Sequence, residues 1–529
     1  MSAMVRVGKS WAIVLTAIAL VCVFALSLPV WQIHDDVYYS MIAQGWGIVS
    51  SPSADIPFMH PGVGMLAAGL TRVTGGPGYA IVIYTLLVVG LVTGLTAMIR
   101  LRVGQAVCFL FSVASLPLFL IPQYTVVAGY LALMALLLLA SDGRRPAVIG
   151  ALLLFFFSAA LRVEMAILAI AVGAPFIFAA QRGKPGRHLQ AITIGLGIGV
   201  AIGVAALSVA PMRSPALVTF DSAHAPLVPF VDYGLASIRQ EKTNDPAIPP
   251  LDATERELLS QWFLADSSLF TPERLDAIAA SVSWQDRIRS SRWKARDHVA
   301  HLHEFVYFWL LLAVVFMASF SARPIAILLS VTIFIGADLL FSCLGRPFPE
   351  RVGLGLAVGV FSLTLVHVAQ GAMRIRRAWI FAGVAILQLI TLGCLYKEHY
   401  RAKDWDVEAV RGHLRLHAAE VVYFQTSHLP LQTLFKPLAN EPTPVPLLVS
   451  LGGMFNHPAR HIFEDAQGCT FAECLRSGRV IKIYASDTYL KMLARYALWK
   501  FGRPLEVLRS EEIGKVRFHE VRLVNPAAQ

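Results

Sequence analysis

The chain has 529 residues, 56% of them hydrophobic and only 15% charged, and its mean hydropathy of +0.61 lies well outside the range of water-soluble domains. A formal charge of +11 would suit a nucleic-acid binder, but the Lys and Arg fall mainly in short loops between apolar runs, where they act as topology signals. These observations exclude nucleic acid as a partner and point to an α-helical polytopic membrane protein.

The first apolar run, Trp11 to about Val30, follows Arg6 and Lys9 and has no small-x-small cleavage site before Trp31, so it reads as an uncleaved anchor. Further runs fall near 78–99, 104–121, 124–140, 147–161, 165–180, 189–210, 305–320, 324–344, 352–371 and 378–396. Each is near the ~20 residues a helix needs to cross ~30 Å of hydrocarbon, which predicts about eleven transmembrane helices. With the N-terminus in the cytoplasm, the inner loops carry Arg100 and Arg102, Arg144 and Arg145, Arg182 to Arg187, Arg323, and Arg374 to Arg377. That distribution obeys the positive-inside rule. The expected organisation is a transmembrane domain over 1–396, with extracytoplasmic loops at 31–77 and 212–304 that could serve as lids, and an extracytoplasmic α/β domain over 397–529.

In the tail, the segments 420–424, 445–451 and 480–484 have strand character, and 487–501 reads as a helix. Cys22, Cys108, Cys343 and Cys394 lie in or beside apolar runs and read as small buried hydrophobes. Cys469 and Cys474 lie in a polar segment expected outside the cytoplasm, where a local disulfide could form. Gly195, Gly197 and Gly199 sit within an apolar run and read as helix-packing positions. No phosphate-binding glycine loop occurs, so no nucleotide cofactor is expected.

The ionisable residues gather at the predicted outer ends of the helices. His34, Asp35 and Asp36 emerge just after the first run, where anchoring has no use for acids. Two adjacent carboxylates can divide labour, one acting as base while the other binds a cation or a hydroxyl; the alternative is that one merely caps the following helix. A carboxylate-held Mg²⁺ or Mn²⁺ at Asp35 and Asp36 is the metal reading the sequence best supports. Arg162 and Glu164 lie at the turn between the fifth and sixth runs, on the side where a lone arginine is disfavoured. They read either as substrate contacts or as an ion pair closing the turn. Arg346 and Arg351 flank a Pro-containing outer loop, where guanidinium groups suit phosphate oxygens or lipid headgroups. Asp338 is an intramembrane carboxylate, either functional or a helix-to-helix hydrogen-bond partner. His60 precedes Pro61 and Gly62, and His298 and His301 share one helix face, but no third ligand at zinc spacing accompanies them.

An acidic pair after the first span, many further spans, large outer loops and an outer C-terminal domain together resemble the GT-C superfamily of membrane glycosyltransferases, which take sugars from polyprenyl-phosphate donors. Within it the chain looks most like a bacterial group with an Asn-Asp-Asp-Val-like start, an outer-loop Asn-Asp element and an Arg-x-Pro-x-Arg-Val-like ending. Here these read His34-Asp35-Asp36-Val37, Asn244-Asp245 and Arg346 to Val352, with His in place of Asn and one extra residue before Arg351. The resemblance implies Asp35 as the group engaging the acceptor nucleophile, with Asp36 supporting it or a cation. It further implies Arg346, Arg351 or Arg162 on the lipid phosphate; His34, His60 and Glu164 join them as substrate-binding candidates on their position alone. The implied partners are a polyprenyl-phosphate-linked sugar, a glycan or lipid acceptor, and membrane lipids at the outer face of a bacterial inner membrane. A polymerase or ligase using a lipid pyrophosphate, and a transporter or flippase, are the alternatives.

Overall fold

A computed structural model describes the chain apart from residues 1–10, 26–28, 142–143, 181–186, 210–213, 238–247, 267, 320, 322, 347, 372–405, 440–444, 453–456, 458–459 and 525–529. Helices stand on the first ten apolar runs: Trp11–Ala25, Gly78–Arg100, Gln105–Leu120, Tyr124–Ser141, Arg145–Leu161, Val163–Ala180, Arg187–Val209, Val306–Ala318, Pro324–Cys343 and Glu350–Gly371. The expected span at 378–396, and the motif element Asn244-Asp245, lie outside the described residues.

Among the described residues, four helices are long and apolar enough to cross a membrane: Gly78–Arg100, Tyr124–Ser141, Pro324–Cys343 and the stretch Glu350–Ala369. Others are shorter than a full span needs. Gln105–Leu120 has 16 residues and Arg145–Leu161 has 17, about 24 to 26 Å at 1.5 Å per residue and so short of the hydrocarbon thickness. Gln285–Glu304 joins Val306–Ala318 through a 73° bend, a polar helix turning into an apolar one.

The centre of the bundle is Tyr124–Ser141, whose apolar window is 89% buried, packed against Arg145–Leu161, Gly78–Arg100, Val163–Ala180 and Glu350–Gly371. Small residues set the approach: a Cβ on Gly355 would lie 2.3 Å from the Val126 carbonyl oxygen, so only glycine admits this backbone. Gly197 likewise accommodates Phe155, whereas Gly195 and Gly199 face open space. Cys108 is buried, but Cys22 and Cys343 are exposed, because their helices turn those faces outward from the bundle.

The tail contains a five-stranded sheet of order β2-β1-β3-β5-β4, made from β1 (Val421–Phe424), β2 (Leu447–Ser450), β3 (Ile481–Tyr484), β4 (Leu505–Ile513) and β5 (Val516–Leu523). β1 runs parallel to β2 and β3, and the β4 and β5 hairpin adds antiparallel to β3. Helix Asp487–Phe501 leads from β3 into this hairpin. Cys469 and Cys474 are joined by a disulfide beside the short helix Phe471–Arg476.

The tail is seated on both long loops, 31–77 and 212–304. The Leu448 N–H of edge strand β2 donates to the Gly47 carbonyl, and the Leu264 N–H of the second loop donates to the Leu451 carbonyl. Tyr496 donates to Asp266 across 2.8 Å, both groups being buried.

Candidate active site

The helix His34–Gln44 begins at Ile33, which makes no side-chain cap, so neither Asp35 nor Asp36 caps its own helix. Both lie in the first turn, where the helix dipole favours negative charge. Successive residues on a helix point about 100° apart, and that separates the two carboxylates.

Asp36 points inward and is fully buried. Its Oδ1 accepts from the Tyr79 hydroxyl at 2.7 Å and from the Tyr124 N–H at 3.3 Å, at the start of the helix Tyr124–Ser141. Oδ2 is buried with no hydrogen-bond partner. Burial raises the pKa of this carboxyl well above the ordinary aspartate value, outweighing the Tyr79 bond that lowers it. The rings of Trp31, Tyr39, Tyr79 and Tyr124 pack around it.

Asp35 points the other way and keeps 35% of its side chain exposed. Its Oδ2 lies 3.7 Å from Nη1 of Arg351, in the first turn of Glu350–Gly371. The charge of Asp35 also acts on His34, Tyr38, Tyr39, Arg162 and His224, which places residues from the first loop, the Arg162 turn and the second loop in one electrostatic neighbourhood.

His34 is occupied by the tail. Gln432 Nε2 donates to its Nδ1 at 3.1 Å, and its Nε2 donates to the Leu429 carbonyl at 3.2 Å, which fixes the Nε2–H tautomer. Burial lowers its pKa, so the ring is neutral near pH 7. One turn on, the Tyr38 ring lies against Phe424 of β1. The helix bearing Asp35 is thus held by the tail on one side and, through Asp36, by the bundle on the other.

The remaining sequence candidates fall into two groups. Arg162 occupies a one-residue break between Arg145–Leu161 and Val163–Ala180, pairs with Glu164 at 3.0 Å and stands over the Phe58 ring. Arg346 pairs with Asp232 at 2.9 Å and stands over Tyr233. His224 feels both this arginine and Asp35, which connects the Arg346 pair to the Asp35 neighbourhood. His60, by contrast, caps the helix Pro61–Thr74, with Gly62 N–H donating to its Nδ1 at 3.1 Å, and its own N–H donates to the Ala160 carbonyl. Asp338 accepts from His298 at 3.0 Å and from the Phe348 N–H at 3.0 Å, tying the loop before Arg351 to the 212–304 segment.

Sequence reasoning did not single out Phe58, Phe220, His224, Asp232 or Tyr233. Phe58 adopts a left-handed φ of 63°, rare for an aromatic and informative only once the backbone is seen. Asp232 belongs to a loop whose partner arginine lies more than a hundred residues away, so its pairing leaves no local signal. Among the described residues no group of three or more His, Cys, Asp or Glu comes together as a cation site.

A crystal structure of ArnT from Cupriavidus metallidurans in the apo state is similar to this chain at 14% identity, covering 96% of this chain and 97% of that one with a TM-score of 0.36. No protein-family model matches the sequence, and no curated protein does.

Proposed function

We propose that the chain is a multi-pass inner-membrane glycosyltransferase that moves a sugar from a polyprenyl-phosphate donor to a glycan or lipid acceptor at the outer face. The observation that carries this reading is the Asp35 and Arg351 pair, a half-exposed carboxylate and a guanidinium side by side at the end of an apolar bundle. A base and a phosphate-binding fork are the two groups that transfer from a lipid phosphate requires.

In this reading the acceptor hydroxyl gives its proton to Asp35 as its oxygen attacks the anomeric carbon. The bond from that carbon to the phosphate oxygen breaks, and the lipid phosphate leaves with the electron pair. Arg351, with Arg162 and Arg346 nearby, stabilises the charge on the departing phosphate. Each of these arginines is already paired with a carboxylate. An arriving phosphate therefore competes with Asp35 for Arg351 and frees the base when the donor is in place. Attack opposite the leaving group inverts the anomeric carbon.

Asp36 serves here as a buried anchor, accepting from Tyr79 and the Tyr124 N–H, that holds the orientation of Asp35. No nucleotide enters the scheme; a Mg²⁺ or Mn²⁺ ion, if one takes part, would meet Asp35 as its accessible carboxylate. The tail closes the site from the outer side and keeps the Asp35 helix in register.

The test is transfer in proteoliposomes containing the full-length chain, polyprenyl-phosphate sugars and an envelope acceptor extract. Product that forms with release of polyprenyl phosphate supports the reading. Movement of the intact lipid-linked sugar across the bilayer without cleavage would instead establish a flippase.

A further inference from the structure

The charged groups flanking Asp35 balance three against three: Asp35, Glu164 and Asp232 face Arg351, Arg162 and Arg346 at 3.7, 3.0 and 2.9 Å. Next to them lies an uncharged ring assembly from the two outer loops. The Phe220 and His224 rings stack at 5.3 Å with 13° between their planes, and Phe58 meets His224 edge-on at 5.1 Å. The Arg162 guanidinium stands 6.0 Å from the centre of the Phe58 ring.

Two unfavourable features coincide in this assembly. Phe58 holds a φ of 63°, a conformation that costs a bulky residue about 1 to 3 kcal/mol and that recurs at ligand sites. His224 Nδ1 is buried and has no hydrogen-bond partner, although most buried polar atoms find one. Neither feature is needed to close an aromatic core. Both make sense if a ligand completes the site.

The chemistry of that ligand follows from the atoms present. Burial lowers the pKa of His224, outweighing Asp232 and Asp35, so its ring is neutral near pH 7. A neutral imidazole nitrogen repels phosphate when it is an acceptor, whereas a hydroxyl can serve it in either tautomer. The half-exposed Phe58 ring offers apolar surface beside it. An apolar face carrying hydroxyls at its rim describes a sugar ring.

We propose that Phe58 and His224 form a sugar subsite beside Asp35, in which His224 Nδ1 hydrogen-bonds a ring hydroxyl of the donor and Phe58 borders the apolar face of the ring. The assignment rests on the glycosyl-transfer reading and names where the transferred group sits: the phosphate belongs to the arginines and the sugar to the two aromatic rings.

The test uses the full-length chain in nanodiscs and two probe lipids, undecaprenyl phosphate and undecaprenyl-phosphate glucose, with the mannose-bearing lipid as a second sugar. Wild type binds a sugar-bearing lipid more tightly than the bare phosphate. His224→Ala weakens the sugar-bearing lipid about three- to tenfold, the loss expected for one hydrogen bond, and leaves the bare phosphate unchanged. His224→Asn, whose amide reaches the Nδ1 position, recovers part of the loss, and Phe58→Ala loses the sugar preference too. Unchanged bare-phosphate affinity doubles as the check that each variant is folded. Equal weakening of both lipids by His224→Ala, or of neither, overturns the subsite. Asp35→Asn transfer activity is measured alongside: loss of activity together with an unaltered sugar preference in His224→Ala removes the subsite and keeps the base, whereas retained activity removes the reading beneath both.

Discussion

The carboxylate of Asp35 and the guanidinium of Arg351 stand 3.7 Å apart, although 316 positions separate them in sequence. At that spacing the two attract without the short bidentate geometry of a locked pair, so each remains available to another partner. Replacing Arg351 with Ala should weaken use of a polyprenyl-phosphate donor by about 1.5 to 3 kcal/mol, the range for a hydrogen bond to a charged group. Lys should restore only part, because it lacks the planar fork. Donor titrations in proteoliposomes give the measurement, and an unchanged Michaelis constant for donor in Arg351→Ala would leave the arginine with a structural role.

Asp36 should tolerate a neutral replacement. Its Oδ1 accepts two hydrogen bonds that the carbonyl of Asn can also accept. Because burial raises its pKa, the stability it contributes belongs to the protonated form, is complete at low pH and is lost as pH rises through the raised value. Asp36→Asn should therefore lose less stability than wild type as pH rises from the ordinary aspartate value upward, while Tyr79→Phe, which removes the donor, should lower stability by ~1 kcal/mol. A pH profile of thermal unfolding that is steeper over that range in Asp36→Asn than in wild type would refute the raised pKa of this anchor.

Acid should loosen the seat of the tail on the first loop. His457 is buried, its Nε2 donates to the Asp55 carbonyl, and burial holds its pKa at about 4 against an ordinary 6.5. A lowered histidine pKa means the unfolded chain binds the extra proton first. Its contribution is complete above pH 6.5 and declines as pH falls toward 4, by up to about 3 kcal/mol. Comparing unfolding midpoints at pH 7.5 and 4.5, His457→Gln should lose less than wild type; parallel losses would assign the acid sensitivity elsewhere.

The tail should lie outside the cytoplasm, as the alternation of basic loops requires. A reporter active only in the periplasm, fused after Val524, should be active. Activity from a cytoplasm-only reporter at the same point would place Asp35 and Arg351 on the inner face, where the proposed donor geometry fails.

Much of this architecture was legible because hydropathy and strand patterning are local signals. Ten apolar runs became helices, and the segments around Val421, Leu447, Ile481 and Asp487 became the strands and helix their composition implied. The hairpin of β4 and β5 was not recognised: Leu505–Ile513 is largely exposed and interrupts its alternation with Arg509, Ser510, Glu511 and Glu512. The turn signal was there, in Gly514 with a φ of 60° between the two strands. At the site, sequence drew attention to the acidic pair and the outer arginines, and the resemblance assigned Asp35 the leading role with Asp36 in support, but the residues themselves gave no physical reason for that division. Their division depends on which face of one helix meets Tyr79, a tertiary fact. The tail's hold on His34 was equally invisible, since Leu429 and Gln432 lie nearly four hundred residues away.

The central claim is that Asp35 is the base for glycosyl transfer, and the most direct measurement is the transfer rate of Asp35→Asn in proteoliposomes at matched protein level. Asn preserves the shape and the helix start but cannot take the acceptor proton. The account predicts a 10²- to 10⁴-fold loss in rate, with donor affinity no weaker than wild type because Arg351 no longer faces a competing carboxylate. Asp36→Asn, measured in parallel, should keep most of its activity. Transfer by Asp35→Asn at a rate within a few-fold of wild type would contradict the account.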